Sequence, residues 1–254
     1  MRNGFKSSSE MLKEEISQWI INKIDKLEDR AKFSSINAVR FLHWSNDTSD
    51  MSPILASFSA MHATEEAVAA FIAAAKVHGH NKYAKKVNLH NHKIKALVSI
   101  FAQRMSLILA QGEVSIAIHP KQEALAYRVP TVGGYHYDAL HLSSFSIGDE
   151  DDEANSILLG DTPLLEDVAN EARRVARLRN DLIYATENGC PTGFINLEYE
   201  IARNTALSIG LIWAAVDMYM HPDHNRRIVD QVLSGMAGVI ANNGGKSCKT
   251  EGSA

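Results

Sequence analysis

The sequence predicts a mainly α-helical protein, an antiparallel helical bundle with a small β-containing insertion. Apolar residues recur at steps of three and four along most of the chain, which is the spacing of one helix face. Two pairs, Ser52-Pro53 and Thr162-Pro163, place a capping side chain directly before a proline, as at the start of a helix. Between about residues 113 and 160 this periodicity is replaced by alternating apolar residues and paired glycines, which are typical of short strands.

Length and composition favour one globular domain over residues 1–254. The chain has a formal net charge of −4 and a pI near 6.3, so a protein that coats DNA non-specifically is excluded, although a local basic patch is not. Its two cysteines form no CxxC motif, which argues against a disulfide framework and a cysteine zinc site. The most apolar segment, 206–220, is too short to span a membrane and contains Asp217. Together with an N-terminus that lacks a signal-peptide core, this predicts a soluble cytoplasmic protein without a membrane partner.

In the first half of the chain, residues 1–10 are expected to form a loose arm. An amphipathic helix follows over 12–27, and a second helical run over 36–44 either continues it or starts anew. Ser52-Pro53 then begins an alanine-rich helix that runs to about Val77 and ends at Gly79.

The second half is predicted to contain four helices around the insertion. The helices cover about 91–112, 163–189, 196–220 and 225–241. The insertion, 113–160, is expected to form short strands or a β-hairpin with a turn at Gly133-Gly134, followed by an acidic, solvated run at 149–153. Residues 242–254 are predicted to be a disordered tail.

Two predicted helices each carry a charge on their apolar face. In one, Arg179 falls in the register of Val175 and Leu182; in the other, Glu65 falls in the register of Met61 and Val68. An unpaired buried charge is costly, so each side chain needs a partner. The opposite signs allow two interpretations: a structural ion pair within the bundle, or a polar cluster that lines a functional cleft.

Several common sites are absent from the sequence. It contains no glycine-rich phosphate loop, no Gly-x-Ser-x-Gly elbow and no pair of Glu-x-x-His motifs for a di-iron centre. Its histidines include three close pairs, and the i,i+2 spacing of two of them does not direct both rings to one ligand on a helix. We therefore expect neither a metal nor a cofactor. The pairs are His78/His80, His90/His92 and His221/His224.

The remaining coherent set of residues is cationic and polar. Arg179 can hold a phosphate through two parallel hydrogen bonds, and Tyr184 follows Asn180 by one helical turn. A second group of basic residues lies at the start of another predicted helix and comprises His92, Lys93 and Lys95. The N-terminus of a helix itself favours anions. Such a site suits a phosphodiester and the charge that develops when a ribose 2′-hydroxyl attacks it.

At these residues the chain resembles the HEPN superfamily and, within it, the AbiV-type abortive-infection proteins. Three stretches carry the resemblance: Glu65-Glu66 followed by Lys76, the run His92-Lys93-x-Lys95, and Arg179-Asn180-x-x-x-Tyr184. They fall within residues 36–105 and 163–189.

The resemblance implies a helical core and a homodimer in which the arginine-containing helices meet at a cleft. It also implies action on RNA, by metal-independent cleavage or inhibition of translation, in phage defence or toxin–antitoxin systems, with RNA or a phage or antitoxin protein as partner. By position, Arg179 would contact the scissile phosphate, Asn180 would orient the site, and Glu65 or Glu66 would hold the arginine. Lys76 and the basic run at 92–95 would bind RNA.

One position departs from the family pattern. Active HEPN ribonucleases place a histidine four to six residues after the arginine, where this chain has Tyr184. Free tyrosine has a pKa of about 10, less suited to proton transfer at neutral pH than histidine at about 6.5. AbiV-type proteins tend to share this tyrosine. Three hypotheses therefore stay open: an endoribonuclease, a non-catalytic module that captures a protein or nucleotide, and an unrelated helical protein with a core ion pair.

Overall fold

The computed structural model describes a helical bundle and a three-stranded β-sheet. The described residues are 6–85, 87, 115–145, 170, 174–175, 177–178, 180–182, 184–185, 187, 189–190, 193–194 and 196–244. The helix predicted over 91–112, the acidic run at 149–153 and the Thr162-Pro163 start lie outside them, as do Arg179, His92, Lys93 and Lys95.

The N-terminal arm is more ordered than predicted. Helix α1 spans Ser8–Lys13 and α2 spans Glu15–Lys23, followed by a 3-10 turn at Ile24–Lys26. The loose arm predicted for 1–10 is wrong from residue 7 onward, because Ser7 and Glu10 form a capping box. The Ser7 hydroxyl accepts from the Glu10 N–H at 3.3 Å, and the Glu10 carboxylate accepts from the Ser7 N–H at 2.8 Å.

The next two helices form an antiparallel pair at the centre of the molecule. Helix α3, Asp29–Asp47, is longer than the predicted run because the buried Ser34 and Ser35 lie inside it. Helix α4, Pro53–Val77, confirms the predicted start and end. The Ser52 hydroxyl accepts from the Leu55 N–H at 3.3 Å, and Gly79 takes a φ of +90° just beyond the helix.

Helix α4 is the core of the bundle because its alanines allow close packing on several sides. Helix α6, Leu197–Met220, packs along it in the same direction: Thr64 contacts Asn204 near one end, and His78 contacts Tyr219 near the other. Helices α3 and α4 run in opposite directions, so the predicted antiparallel arrangement holds for that pair and not for α4 with α6. The buried alanines of α4 are Ala56, Ala60, Ala63, Ala67, Ala69, Ala70, Ala73, Ala74 and Ala75.

The predicted β-containing insertion is confirmed as a three-stranded antiparallel sheet in the order β1-β2-β3. The strands are Ser115–Ile118, Leu125–Thr131 and Gly134–Leu140. A two-residue loop joins the last two strands, and Gly133 adopts a φ of +97° there. One end of the sheet packs into the core through Leu125, Leu140 and Leu142, whereas the hairpin tip at Val132 is exposed.

Two further helices follow α4 and α6 in the described region. A four-residue helix α5, Asn81–Ala84, follows α4, and α7 spans Arg227–Gly244. The predicted tail therefore begins too early, since residues 242–244 belong to α7; residues 245–254 lie outside the described part. Within the described residues, no helix combines the length and the apolar character that crossing a bilayer requires.

Candidate functional site

Glu65 lies midway along α4 with only 13% of its side chain exposed. The ring of His62 lies one turn earlier, with its Nδ1 3.9 Å from Glu65 Oε2. His62 itself is held between two aromatic rings, with centroid distances of 4.8 Å to Phe41 of α3 and 4.8 Å to Phe58 of α4. The predicted placement of a charge at the helix packing face is thus borne out for Glu65, and the aromatic rings fix the histidine beside it.

Glu66 is the neighbour of Glu65 on α4, whereas Lys76 lies near the end of the same helix. Glu66 is partly buried, as Glu65 is. Lys76 lies eleven residues beyond Glu65, roughly 16 Å along the helix. Burial and the nearby charge of Arg30 lower the pKa of Lys76. The structure therefore separates Lys76 from the Glu65 region and places it near the start of α3.

The segment that contains Asn180 and Tyr184 makes helical turns. Its backbone includes an N–H···O bond of 3.0 Å from Leu182 to Leu178 and one of 2.9 Å from Tyr184 to Asn180. Asn180 and Tyr184 are both exposed, and they follow each other by one turn as predicted. Leu182 is 3% exposed, and Val175 packs partly against the core. The predicted inward face is therefore confirmed at the two positions that flank Arg179 in the register.

Four of the nine predicted site residues lie outside the described part of the chain: Arg179, His92, Lys93 and Lys95. Of the other five, Asn180 and Tyr184 lie together, and Glu65 and Glu66 are adjacent on α4.

A hydrogen-bonded polar seam joins α4 to α6 beside Glu65. The Thr64 hydroxyl donates to Asn204 Oδ1 at 2.7 Å and lies 3.3 Å from the Ser208 hydroxyl. The hydroxyl of the buried Thr205, which follows Asn204 in α6, is 2.6 Å from the Ser8 hydroxyl of α1. Buried polar groups require such partners, so this seam fixes the register of α4 against α6 at the level of Glu65.

A second cluster, which the sequence did not predict, lies at the opposite end of α6. The rings of His141, His221 and His224 approach one another with centroid distances of 4.4, 4.9 and 5.1 Å. Each ring offers a nitrogen, and these nitrogens lie within 4.8 Å of one another. Burial, followed by the neighbouring His141, lowers the pKa of His221, which keeps that ring neutral at pH 7.

Two buried charged residues, Asp217 and Arg226, hold the segments that carry these histidines. Asp217 is 4% exposed and binds His141 Nδ1 at 3.0 Å and the Leu142 N–H at 3.2 Å. Arg226, 1% exposed, donates from Nε to the Asp217 carboxylate at 3.4 Å and from Nη1 to the His224 carbonyl at 2.9 Å. Its Nη2 donates to the carbonyls of Asp217, Met218 and His221.

Part of this second cluster had a signal in the sequence. Asp217 is a charged residue in the apolar stretch 206–220, the same kind of feature that singled out Glu65. His221 and His224 follow it at the turn. His141 comes from the end of β3, 76 residues before Asp217. No local pattern connects these two segments, so the complete cluster requires the tertiary structure.

Comparison with protein-family models, curated proteins and solved structures gives no significant match. The geometry of the described residues, together with the motif resemblance, is therefore the basis for assigning a function.

Proposed function

We propose that this protein is an HEPN-like effector that acts on RNA. The observation that supports it best is the placement of Glu65, a largely buried carboxylate beside His62 at the centre of a helical bundle. A second helical segment turns Val175 and Leu182 inward while Asn180 and Tyr184 face solvent. A buried carboxylate on one helix and exposed polar side chains on another segment are what a polar site needs if it lies between helices and is open to solvent.

The roles follow from charge and position. Glu65 holds the guanidinium of Arg179, with Glu66 as the alternative carboxylate, and the guanidinium binds a phosphate of the RNA backbone. Asn180 orients the phosphate through its amide. The basic run of His92, Lys93 and Lys95 adds contacts to neighbouring phosphates, and Lys76 extends these contacts toward the start of α3.

The reaction is cleavage of the RNA backbone without a metal ion. The ribose 2′-oxygen attacks the adjacent phosphorus, and the bond from phosphorus to the 5′-oxygen breaks. The 2′-hydroxyl proton passes to solvent water, and a phenol donates a proton to the leaving 5′-oxygen and is then reprotonated by water, which gives a 2′,3′-cyclic phosphate and a 5′-hydroxyl. The arginine stabilises the charge on the phosphoryl oxygens, and removal of one such donor typically costs a factor of about 10²–10³ in rate. We assign that proton donation to Tyr184, whose exposed phenol follows Asn180 by one helical turn.

The proposal is tested with purified protein, total cellular RNA and EDTA. We expect fragments that end in a cyclic phosphate, and we expect Arg179→Ala to abolish them. Arg177→Ala is the matched control, because Arg177 is an exposed arginine only two residues away. Absence of both cleavage and RNA binding by the wild type would remove the proposal.

The second candidate is a non-catalytic module that captures a protein or nucleotide partner. The observation that favours it is the exposure of Tyr184: its side chain is 63% exposed, so its phenol is available for stacking or docking. In that case the wild type binds RNA or a protein such as an antitoxin but leaves RNA intact. The cleavage assay and a binding assay on the same preparation separate the two candidates.

The proposed effector is a homodimer in which the segments that carry Arg179 face each other. Light scattering on the purified protein should then give twice the chain mass of 28.0 kDa. A mass of one chain at micromolar concentration would contradict this part of the proposal while leaving the RNA assay independent of it.

A further inference from the structure

The three histidines at the junction of α6 and α7 have the composition of a transition-metal site. His221 and His224 lie in the turn after α6, and His141 directly follows β3. Three imidazole nitrogens are a common protein ligand set for Zn²⁺, with bonds of about 2.1 Å and nitrogen separations of roughly 3.4 Å in a tetrahedral centre. The nitrogens lie within 4.8 Å of one another, so binding of an ion requires the rings to approach by roughly 1.4 Å.

The hydrogen bonds at His141 prepare it for a metal ion. The Asp217 carboxylate accepts from the Leu142 amide and from Arg226, so the proton between Asp217 and His141 lies on Nδ1. His141 Nε2 then carries the free lone pair. A carboxylate that accepts from the second nitrogen of a histidine is the usual support of a metal-bound imidazole, because it fixes the tautomer and the ring orientation.

The turn that carries the other two histidines is held by a buried side chain. Arg226 donates to the carbonyls of both His221 and His224, and to the last turn of α6. These bonds fix the backbone between residues 221 and 224 without using either ring. All three rings keep some solvent exposure, His224 the most, so an ion can reach them. The site is thus pre-organised on its protein side and open on the other.

We propose that His141, His221 and His224 bind one Zn²⁺ ion, with a water molecule as the fourth ligand. The ion joins the end of the β-sheet to the junction of α6 and α7, two segments that are distant in the sequence. The zinc site lies away from Glu65. His221 lies 17 residues beyond Asn204, which contacts Thr64 beside Glu65, and this corresponds to roughly 25 Å along α6.

The test uses the full chain, stripped with EDTA, dialysed and titrated with ZnCl₂ in a calorimeter. We expect one Zn²⁺ per chain, no binding of Mg²⁺, which prefers oxygen ligands, and a higher melting temperature with zinc. His224→Gln and His141→Gln should each weaken zinc binding at least about tenfold. His136→Gln is the matched control: His136 is on β3, 63% exposed in its side chain, and hydrogen-bonded to Asp138.

A spectroscopic readout keeps the test valid if a variant folds poorly. X-ray absorption at the zinc edge of the wild-type complex should show three imidazole ligands. Zinc binding that is substoichiometric in the wild type, that is equal in His224→Gln and wild type, or that lacks imidazole ligation would overturn the proposal. These results are independent of RNA cleavage, which is assayed in EDTA, so the two proposals fail separately.

Discussion

Arg226 donates to the carboxylate of Asp217 at the end of α6, and both side chains are almost fully buried. The same guanidinium caps the last carbonyls of α6 and holds the following turn. A single residue therefore connects three features of the molecule: the helix end, the turn with two histidines and, through Asp217, the end of the β-sheet at His141.

Substitution of Arg226 should be strongly destabilising. Arg226→Ala leaves the buried Asp217 carboxylate without its cation and removes the guanidinium's hydrogen bonds to the turn and helix-end carbonyls. We therefore expect the free energy of unfolding to fall by about 3–5 kcal/mol. Urea denaturation measures this. Arg30→Ala, at an exposed arginine of α3, should change it by no more than about 0.5 kcal/mol. Equal effects of the two substitutions would show that the buried contacts of Arg226 contribute nothing.

Two glycines with similar backbone angles should respond differently to alanine. Gly193 has a φ of +82°, and an added Cβ would lie 3.0 Å from the carbonyl carbon and oxygen of Pro53. Gly133 has a φ of +97° and open space around it. Both substitutions incur backbone strain of about 1–2 kcal/mol. Only Gly193→Ala also brings the new Cβ within 3.2 Å of Ser57 Oγ, which accepts a 2.9 Å hydrogen bond from the Phe194 N–H.

We therefore expect Gly193→Ala to lower the free energy of unfolding more than Gly133→Ala, by at least about 1 kcal/mol. Chemical denaturation of both variants in the same buffer measures the difference. An equal loss of stability in Gly133→Ala would contradict the close approach of Gly193 to Pro53 at the start of α4.

The free energy of unfolding should decrease as the pH falls through the range in which histidine titrates. Burial, and then the charges of Arg226 and His80, lower the pKa of His78 despite the opposing charge of Glu28. In the unfolded chain a histidine titrates near pH 6.5. As the pH falls through 6.5 the unfolded state binds the proton first, so the free energy of unfolding decreases until the pH reaches the lower folded-state pKa.

His78→Gln removes this titration and should flatten the pH dependence of stability between pH 7.5 and 5.5. The control is Val77→Ala, an exposed neighbour without a titratable group. Both are measured by urea denaturation in EDTA. A slope that is the same in His78→Gln and in Val77→Ala would contradict the assigned direction of the shift.

Tyr184 distinguishes catalysis from binding within the proposed function. Tyr184→Phe keeps the exposed ring but removes the hydroxyl, so RNA affinity should change little while the cleavage rate falls by a factor of about 10²–10⁴. Gel-shift and cleavage assays on one preparation give both numbers. A full cleavage rate in Tyr184→Phe would remove the tyrosine from the reaction and return the proton-transfer role to another group.

Local chemistry explains which elements were predictable from the sequence. The start of α4 was predicted because Ser52 and Pro53 determine it within one turn, and the β2–β3 hairpin because Gly133 supplies the required positive φ. The capping box of Ser7 and Glu10 had an equally local Ser-x-x-Glu signal, which the loose-arm prediction overlooked. Local signals thus identify helix and turn boundaries well in this chain.

Non-local contacts account for what the sequence did not predict. The parallel packing of α6 on α4 depends on pairs such as Thr64 with Asn204, whose residues are 140 apart. The histidine cluster depends in the same way on His141 with Asp217. At the proposed RNA site, periodicity placed Glu65 at a packing face correctly because the helix register is local, whereas its relation to Arg179 is a tertiary one.

The central claim is that this chain acts on RNA through Arg179, and the most direct measurement is the cleavage rate of end-labelled RNA in EDTA. The account predicts cyclic-phosphate products with the wild type and with Arg177→Ala, and a rate at least about a hundredfold lower with Arg179→Ala. RNA that stays intact with folded wild-type protein, or equal rates with wild type and Arg179→Ala, would contradict it.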